Sequence, residues 1–226
     1  LCSLLLLLAA FKCAAVEYWI LASNLEDSET GDERCTVQNT TSFAALSNVS
    51  NGGSACNLRA AVAKAATTSG VPILLSAGMH NISRGEITIS AETTIYGHGE
   101  AITLVNGTHN RQTRLFAVNE GVSFFVRSLT ISDFSSTAGG AAIGTYGIIN
   151  VRRVAFVRCV TSGTSGTMRE KAGAIAVLNQ DSRTADPSVY LYNATFRDCS
   201  ATGQGGCLGL YSVQTAIIKD SLFDGC

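Results

Sequence analysis

VRSLTISDF, at residues 126–134, is the first of four copies of a nine-residue unit that share one apolar pattern. The other copies are VRRVAFVRC at 151–159, LYNATFRDC at 191–199 and IKDSLFDGC at 218–226. Aligned on their sixth residues, the copies are offset by 25, 40 and 27 positions, a spacing typical of repeat proteins. A second unit keeps phase with the first and reads GGAAI at 139–143, AGAI at 172–175 and GGCL at 205–208. Two short β-rich units in each period predict one turn of a stacked β-structure rather than an array of hairpins.

The order of apolar residues within the unit predicts a bend in the chain. In the first copy they occupy the first, fourth and sixth places, at Val126, Leu129 and Ile131. A straight strand would alternate strictly, so we expect a bend between the first and fourth places. Equivalent places in successive repeats should then lie about 4.8 Å apart and form columns.

Two of these columns carry charge. The second-place column is basic with one aromatic residue, and its members are Arg127, Arg152, Tyr192 and Lys219. A sugar or an acidic polymer can lie along such a stripe, although a solubilising outer face is the simpler interpretation. The eighth-place column alternates in sign, and its members are Asp133, Arg158, Asp198 and Gly225. This second column predicts exposed ion pairs of small energy rather than a catalytic carboxylate cluster.

The cysteines indicate disulfides rather than a metal site. Beyond residue 15 the chain holds Cys35, Cys56, Cys159, Cys199, Cys207 and Cys226, an even number that is consistent with disulfides in a secreted chain. We expect Cys35 to pair with Cys56, which would join the entry segment to the helix that follows. Cys159, Cys199 and Cys226 share the ninth-place column, and three stacked cysteines cannot all pair with one another. One of them should stay free or pair with Cys207. No CxxC or His/Cys spacing for zinc occurs, so neither a metal nor a cofactor is predicted.

The beginning of the chain reads as a secretory leader. Residues 1–15 are apolar and end in small residues, which predicts a partial signal peptide, while an uncleaved anchor that extends through Trp19 and Ile20 is the alternative. We interpret the polar residues 16–53 as a leader or a linker. Five Asn-X-Ser/Thr sequons favour an extracellular or cell-surface protein, with possible glycosylation at Asn39, Asn48, Asn81, Asn106 and Asn193.

One helix is predicted in an otherwise β-rich chain. CNLRAAVAKAATT at 56–68 places Leu58, Val62 and Ala65 on one face. Short β runs follow it, predicted at 73–75, 87–89, 94–96, 102–105, 115–118 and 122–131. An amphipathic helix before a stacked β-structure can cover its open apolar end. A formal net charge of -1 does not predict a nucleic-acid partner.

Together these motifs resemble those of the pectin-lyase-like superfamily, whose members are right-handed parallel β-helices. The GGAI-type units and the FVRC, FRDC and FDGC segments are similar to the GGAI and FxxN repeats of polymorphic outer-membrane proteins, with Cys in place of Asn. CNLRAAVAKA at 56–65 resembles the segment that caps such helices, and ITISAETTIYGHG at 87–99 resembles their first turn. The resemblance implies an all-β, right-handed parallel β-helix over residues 54–226, with an N-terminal capping α-helix. The last repeat ends at Cys226 without a cap, from which we expect a domain truncated at its C-terminus.

No complete catalytic constellation is visible in the sequence. GHG at 97–99 resembles a motif of polygalacturonase-like hydrolases, but that chemistry also needs paired aspartates as acid and base. We therefore assign no catalytic residue and do not expect His98 to be one. The favoured interpretation is a non-catalytic secreted or cell-surface scaffold that binds glycans or surface partners. The alternative is a polysaccharide lyase or glycoside hydrolase whose catalytic residues lie outside this chain.

Overall fold

Our computed structural model describes residues 17–23, 35, 37–40, 56–68, 70–107, 113–162, 172–178, 187–202 and 205–226. These residues contain twenty β-strands and one α-helix, so the described part of the chain is mostly β. The predicted signal peptide at 1–15 lies outside the described residues.

The strands form three sheets, in which nearly all neighbours are parallel. The largest sheet contains β1 (Glu17–Ala22), β2 (Val37–Thr40), β3 (Ile73–Leu75), β4 (Gly78–Asn81), β6 (Thr93–Tyr96), β7 (Thr103–Asn106), β9 (Ser123–Ser132), β12 (Ile148–Val157), β15 (Ser188–Tyr192), β16 (Thr195–Arg197), β19 (Thr215–Lys219) and β20 (Leu222–Asp224). The second contains β5 (Ile87–Ile89), β8 (Phe116–Val118), β11 (Ile143–Thr145), β14 (Ile175–Val177) and β18 (Leu208–Leu210). The third contains β10 (Ser135–Ser136), β13 (Val160–Thr161) and β17 (Ser200–Ala201).

Successive repeats pair in the register that the sequence predicts. The sixth-place residues are direct neighbours, in the order Ile131, Phe156, Phe196 and Phe223. The rings of Phe156 and Phe196 stack at 4.9 Å, and those of Phe196 and Phe223 at 4.7 Å. In the second sheet Ile143, Ile175 and Leu208 are neighbours in the same way. Each repeat of the chain, which we call a pass, therefore adds its strands directly above those of the pass before.

The predicted bend lies at the third place of each unit. Its four residues have positive φ values between 50° and 56°, and they are Ser128, Arg153, Asn193 and Asp220. The left-handed backbone turns the chain, so that the first half of β9 pairs with β6 and the second half with β7. A second left-handed turn falls at the eighth place, at Asp133, Arg158, Asp198 and Gly225.

The predicted helix is confirmed as α1 (Leu58–Thr67). Asn57 is the N-cap of this helix, and its side chain accepts a hydrogen bond from the Ala60 N–H at 2.8 Å. Its buried face, which includes Leu58 and Val62, packs over β1, β3, β5 and β6. Arg59 extends from the other side and donates to the carbonyl oxygens of Arg84, Gly85 and Glu86 at 2.7–3.0 Å. The helix thus covers the first strands and also holds the turn between β4 and β5.

The structure corrects the predicted linker at 16–53. Residues 17–22 form β1, which pairs in parallel with β3 and antiparallel with β2. Ile20 is fully buried in the main core, whereas Trp19 and Leu21 pack with Leu74 on the opposite face. A strand that is buried on both faces has a continuous apolar sequence without alternation, which resembles the end of a signal peptide or an anchor.

Two disulfides join cysteines in the described residues. Cys35 and Cys56 are bonded as predicted, with their Cα atoms 4.8 Å apart. Cys226 pairs with Cys207, which is the alternative that the cysteine column left open. Cys159 and Cys199, which the even number of cysteines suggested as disulfide partners, are not bonded and remain buried thiols. A hydrogen bond to the Cys199 thiol, together with burial, raises the pKa of the Cys159 thiol.

Replacement of Phe196 with alanine tests the apolar column. Phe196 is fully buried between two stacked rings, so Phe196→Ala should lower the free energy of unfolding by about 3–5 kcal/mol. Arg197→Ala is the matched control at the next, exposed position and should change it by less than about 0.5 kcal/mol. Urea unfolding followed by circular dichroism measures both, and equal effects would show that the ring column is not a core.

Candidate anion-binding groove

The second-place column predicted from the sequence lies together in the structure. Arg152 is the direct neighbour of Arg127 on one side and of Tyr192 on the other. Lys219 follows Tyr192 on the next pass. The structure adds Tyr96, which is the neighbour of Arg127 on the preceding pass.

The sequence pattern missed Tyr96 because its pass is interrupted. Ile95 and Tyr96 occupy the first and second places, with Gly97 at the bend, but residues 98–102 are inserted before the chain resumes in β7. The insertion hides the nine-residue pattern. Only the first three places of the unit remain recognisable in this pass. Its Ile-Tyr-Gly corresponds to Val126, Arg127 and Ser128 of the next pass.

The tyrosine rings pack against the arginine side chains. The guanidinium carbon of Arg127 lies 5.5 Å from the centre of the Tyr96 ring, and that of Arg152 lies 5.1 Å from the centre of the Tyr192 ring. The Trp19 ring packs edge-to-face against the Tyr96 ring, with ring centres 5.3 Å apart. Such cation–π contacts contribute about 0.5–1 kcal/mol at exposed sites. These contacts also restrict the arginine side chains, so the side chains would lose less conformational entropy when a ligand binds.

A groove of about 430 Å³ runs along this column. The second place contributes Tyr96, Arg127, Arg152 and Tyr192, and the bend contributes Ser128, Arg153, Asn193 and Asp220. Lys219 is exposed on the last pass and does not line the groove. The left-handed bend therefore creates the groove, because it brings the third-place side chains alongside those of the second place.

The groove carries an excess of positive charge. Three arginines line it against one carboxylate, Asp220. Among the described residues, no carboxylate forms an ion pair with Arg127, Arg152 or Arg153. The Nε atom of Arg127 is buried without a hydrogen-bond partner in the described structure. Since a buried charged donor without a partner is unfavourable, an anion that accepts from these guanidinium groups would be stabilised here.

A second recess of about 280 Å³ adjoins the groove and shares Tyr96, Ser128 and Arg153 with it. The inserted residues supply the rest of its lining, including His98 and Glu100. Burial lowers the pKa of His98, so this side chain is neutral near pH 7. A side chain at Gly97 would collide with the Ser128 carbonyl oxygen, which explains the first glycine of the GHG motif by packing.

The eighth-place column lies on a different part of the surface and forms one of the predicted ion pairs, whereas Asp198 makes no salt bridge to Arg158 in the described structure. Arg158 donates from Nε to Asp133 at 2.6 Å, and from a terminal nitrogen to its other carboxylate oxygen at 2.8 Å. This pairing holds the pKa of Asp133 below its usual range. In the described residues, no group of three or more His, Cys, Asp or Glu side chains has the arrangement of a metal site.

The sequons occupy different surroundings. Asn193 is exposed and lines the groove. Asn81 and Asn106 are neighbours on β4 and β7, and both are partly buried. Asn39 belongs to β2, and Asn48 lies outside the described residues. The one described helix, α1, is too short to cross a membrane.

Comparisons of this chain with protein-family profiles, curated proteins and solved structures find no match.

The Asp133–Arg158 pair predicts a pH-dependent contribution to stability. Asp133→Asn keeps a residue suited to the left-handed backbone and should lower the free energy of unfolding by about 0–1 kcal/mol at pH 7. Because folding lowers the pKa of Asp133, its contribution is present above the unfolded-state value of about 4 and is lost as pH falls through the lower folded value.

Asp198→Asn is the matched control, since Asp198 occupies the same left-handed place and interacts with Arg158 only through a smaller Coulombic attraction, without the paired hydrogen bonds that Asp133 accepts. Chemical unfolding between pH 3 and pH 7 measures both variants. A difference between Asp133→Asn and the wild type that grows as the pH falls would contradict the assignment.

Proposed function

We propose that this chain is a secreted or cell-surface scaffold that binds acidic polysaccharides along the groove, without cleaving them. The observation that carries the proposal is the line of arginines that have no carboxylate partner among the described residues, two of which pack against tyrosine rings. Guanidinium groups bind carboxylates and sulfates through paired hydrogen bonds, and aromatic rings pack against the apolar faces of other rings and of sugars. A polysaccharide of uronic acids offers both features in each repeat.

We further propose that the fold is a right-handed parallel β-helix of the pectin-lyase-like type. The parallel, in-register sheets support this proposal, as do the two left-handed turns in each nine-residue unit and the helix over the first strands. In a stack of this kind, equivalent side chains recur about every 4.8 Å along the axis. A polymer with regularly spaced anions can therefore contact several passes at once, which raises its affinity above that of a single charged sugar.

The non-catalytic part of the proposal rests on the carboxylates near the arginines. Among the described residues, Asp220 is the one carboxylate in the lining of the groove, and Glu100 is the one carboxylate in the lining of the adjoining recess. Hydrolysis of a glycosidic bond commonly requires two carboxylates that face the same bond. His98 lies in the recess with a single described carboxylate, Glu100, and the first glycine of its GHG motif is explained by packing, because a side chain at Gly97 would collide with the Ser128 carbonyl oxygen.

Neutralisation of the groove arginines tests the proposed function. The double variant Arg127→Gln, Arg152→Gln should bind polygalacturonate at least about tenfold more weakly than the wild type, because each lost charge-assisted hydrogen bond removes about 1.5–3 kcal/mol. Arg197→Gln is the control, since it removes one exposed positive charge outside the groove lining. Isothermal titration calorimetry at two salt concentrations measures the affinities, and binding should weaken as salt screens the charges.

Three further results would count against the proposal. Equal affinity of the double variant and the wild type for polygalacturonate would exclude the groove as the binding site. Equal affinity for a single-stranded polynucleotide would exclude preference for a sugar polymer. Release of new reducing ends or of unsaturated uronates, with or without calcium, would show instead that the protein is a hydrolase or a lyase.

A further inference from the structure

Asn193 is placed to project from the wall of the groove. It is exposed, it lines the groove, and Ala194 and Thr195 complete its sequon. Its backbone is held in the left-handed region with φ at 50°, and its N–H donates to the Lys219 carbonyl oxygen at 3.0 Å. The side chain therefore leaves the backbone from a fixed position at the bend.

The neighbours of Asn193 are the residues on which ligand binding depends. Tyr192, which precedes it, packs against Arg152. Arg153 and Asp220 occupy the same third place on the passes before and after it, and all of these residues line the groove. The groove has a volume of about 430 Å³, so an oligosaccharide attached at its wall would fill much of it. An attached glycan and a bound polysaccharide would thus compete for the same space.

Two other sequon asparagines, Asn81 and Asn106, do not share this position. Asn81 and Asn106 lie on β4 and β7, the strands that follow the bend, and neither lines the groove. Glycans at those residues would add comparable mass without covering the arginines. Asn81 therefore offers a control within the same chain.

We infer that Asn193 is an N-glycosylation site whose glycan covers the groove and controls access to its arginines. In this step the carboxamide nitrogen of Asn193 bonds to the anomeric carbon of an oligosaccharide carried on a lipid diphosphate. The bond from that carbon to the diphosphate oxygen breaks, the lipid diphosphate leaves, and the nitrogen loses one proton. The carboxamide stays uncharged, so the effect on the groove is steric. Glycosylation of Asn193 rests on the proposed secretory location. The effect of the glycan on polysaccharide binding rests on the proposed function.

The test compares the full chain, secreted from a glycosylating host, with two sequon variants. Thr195→Val removes the Asn193 sequon but keeps the asparagine, whereas Asn81→Gln removes a sequon outside the groove. Asn193→Gln is a second variant in case Thr195→Val folds poorly. Peptide mass spectrometry measures glycan occupancy, and a dicarbonyl reagent specific for arginine measures the accessibility of Arg152 and Arg153. Calorimetry measures the affinity for polygalacturonate.

We expect Asn193 to be occupied in the wild type. Arg152 and Arg153 should react at least about tenfold faster in Thr195→Val, and polygalacturonate should bind at least about tenfold more tightly to that variant. Asn81→Gln should match the wild type in both measurements. An unoccupied Asn193, or an occupied one with unchanged arginine reactivity, would overturn the inference. Faster arginine reactivity without polysaccharide binding in any variant would support the glycan cover but contradict the proposed function.

Discussion

Parallel hydrogen bonding between successive passes, with equivalent residues held side by side, is the constraint on which the rest of the structure depends. It places Phe156, Phe196 and Phe223 in one stacked column, and each ring fills the space beneath the next. The same constraint brings Arg127 beside Arg152, where two like charges repel. The tyrosine rings on either side of the pair offset part of that repulsion through cation–π contacts. The groove thus has a charge arrangement that stability alone would not favour.

The left-handed bend converts this stacking into a surface that can bind a ligand. Without the bend, second-place and third-place side chains would point to opposite faces of a flat sheet. The bend at Arg153 and Asn193 brings third-place side chains to the groove that Arg152 and Tyr192 line. Because the four passes that contain the nine-residue unit bend at the same place, the groove follows the stack, which suits an extended polymer better than a compact ligand.

Much of the fold was predictable from the sequence because the repeat has a strict period. The pairing of Ile131 with Phe156, the bend, the helix and the Cys35–Cys56 disulfide follow from local patterns and agree with the structure. β1 was not predicted, since burial on both faces removes the alternation that marks a strand. The sequence could not determine which cysteine bonds to Cys226, because the pairing depends on how the last two passes lie relative to each other. The arginine stripe was predictable as a column, but Tyr96 joins it only through pairing across an insertion.

Cross-linking between passes tests the central claim most directly. Thr130 and Ala155 are direct neighbours on β9 and β12, and cysteines at such positions have Cα atoms within the range of a disulfide. The double variant Thr130→Cys, Ala155→Cys should form this bond under mild oxidation, as peptide mass spectrometry would show. Thr130→Cys with Val157→Cys, displaced by two residues along the strand, should not form one. A cross-link in the displaced pair and none in the aligned pair would contradict the register, and with it the arginine column and the groove.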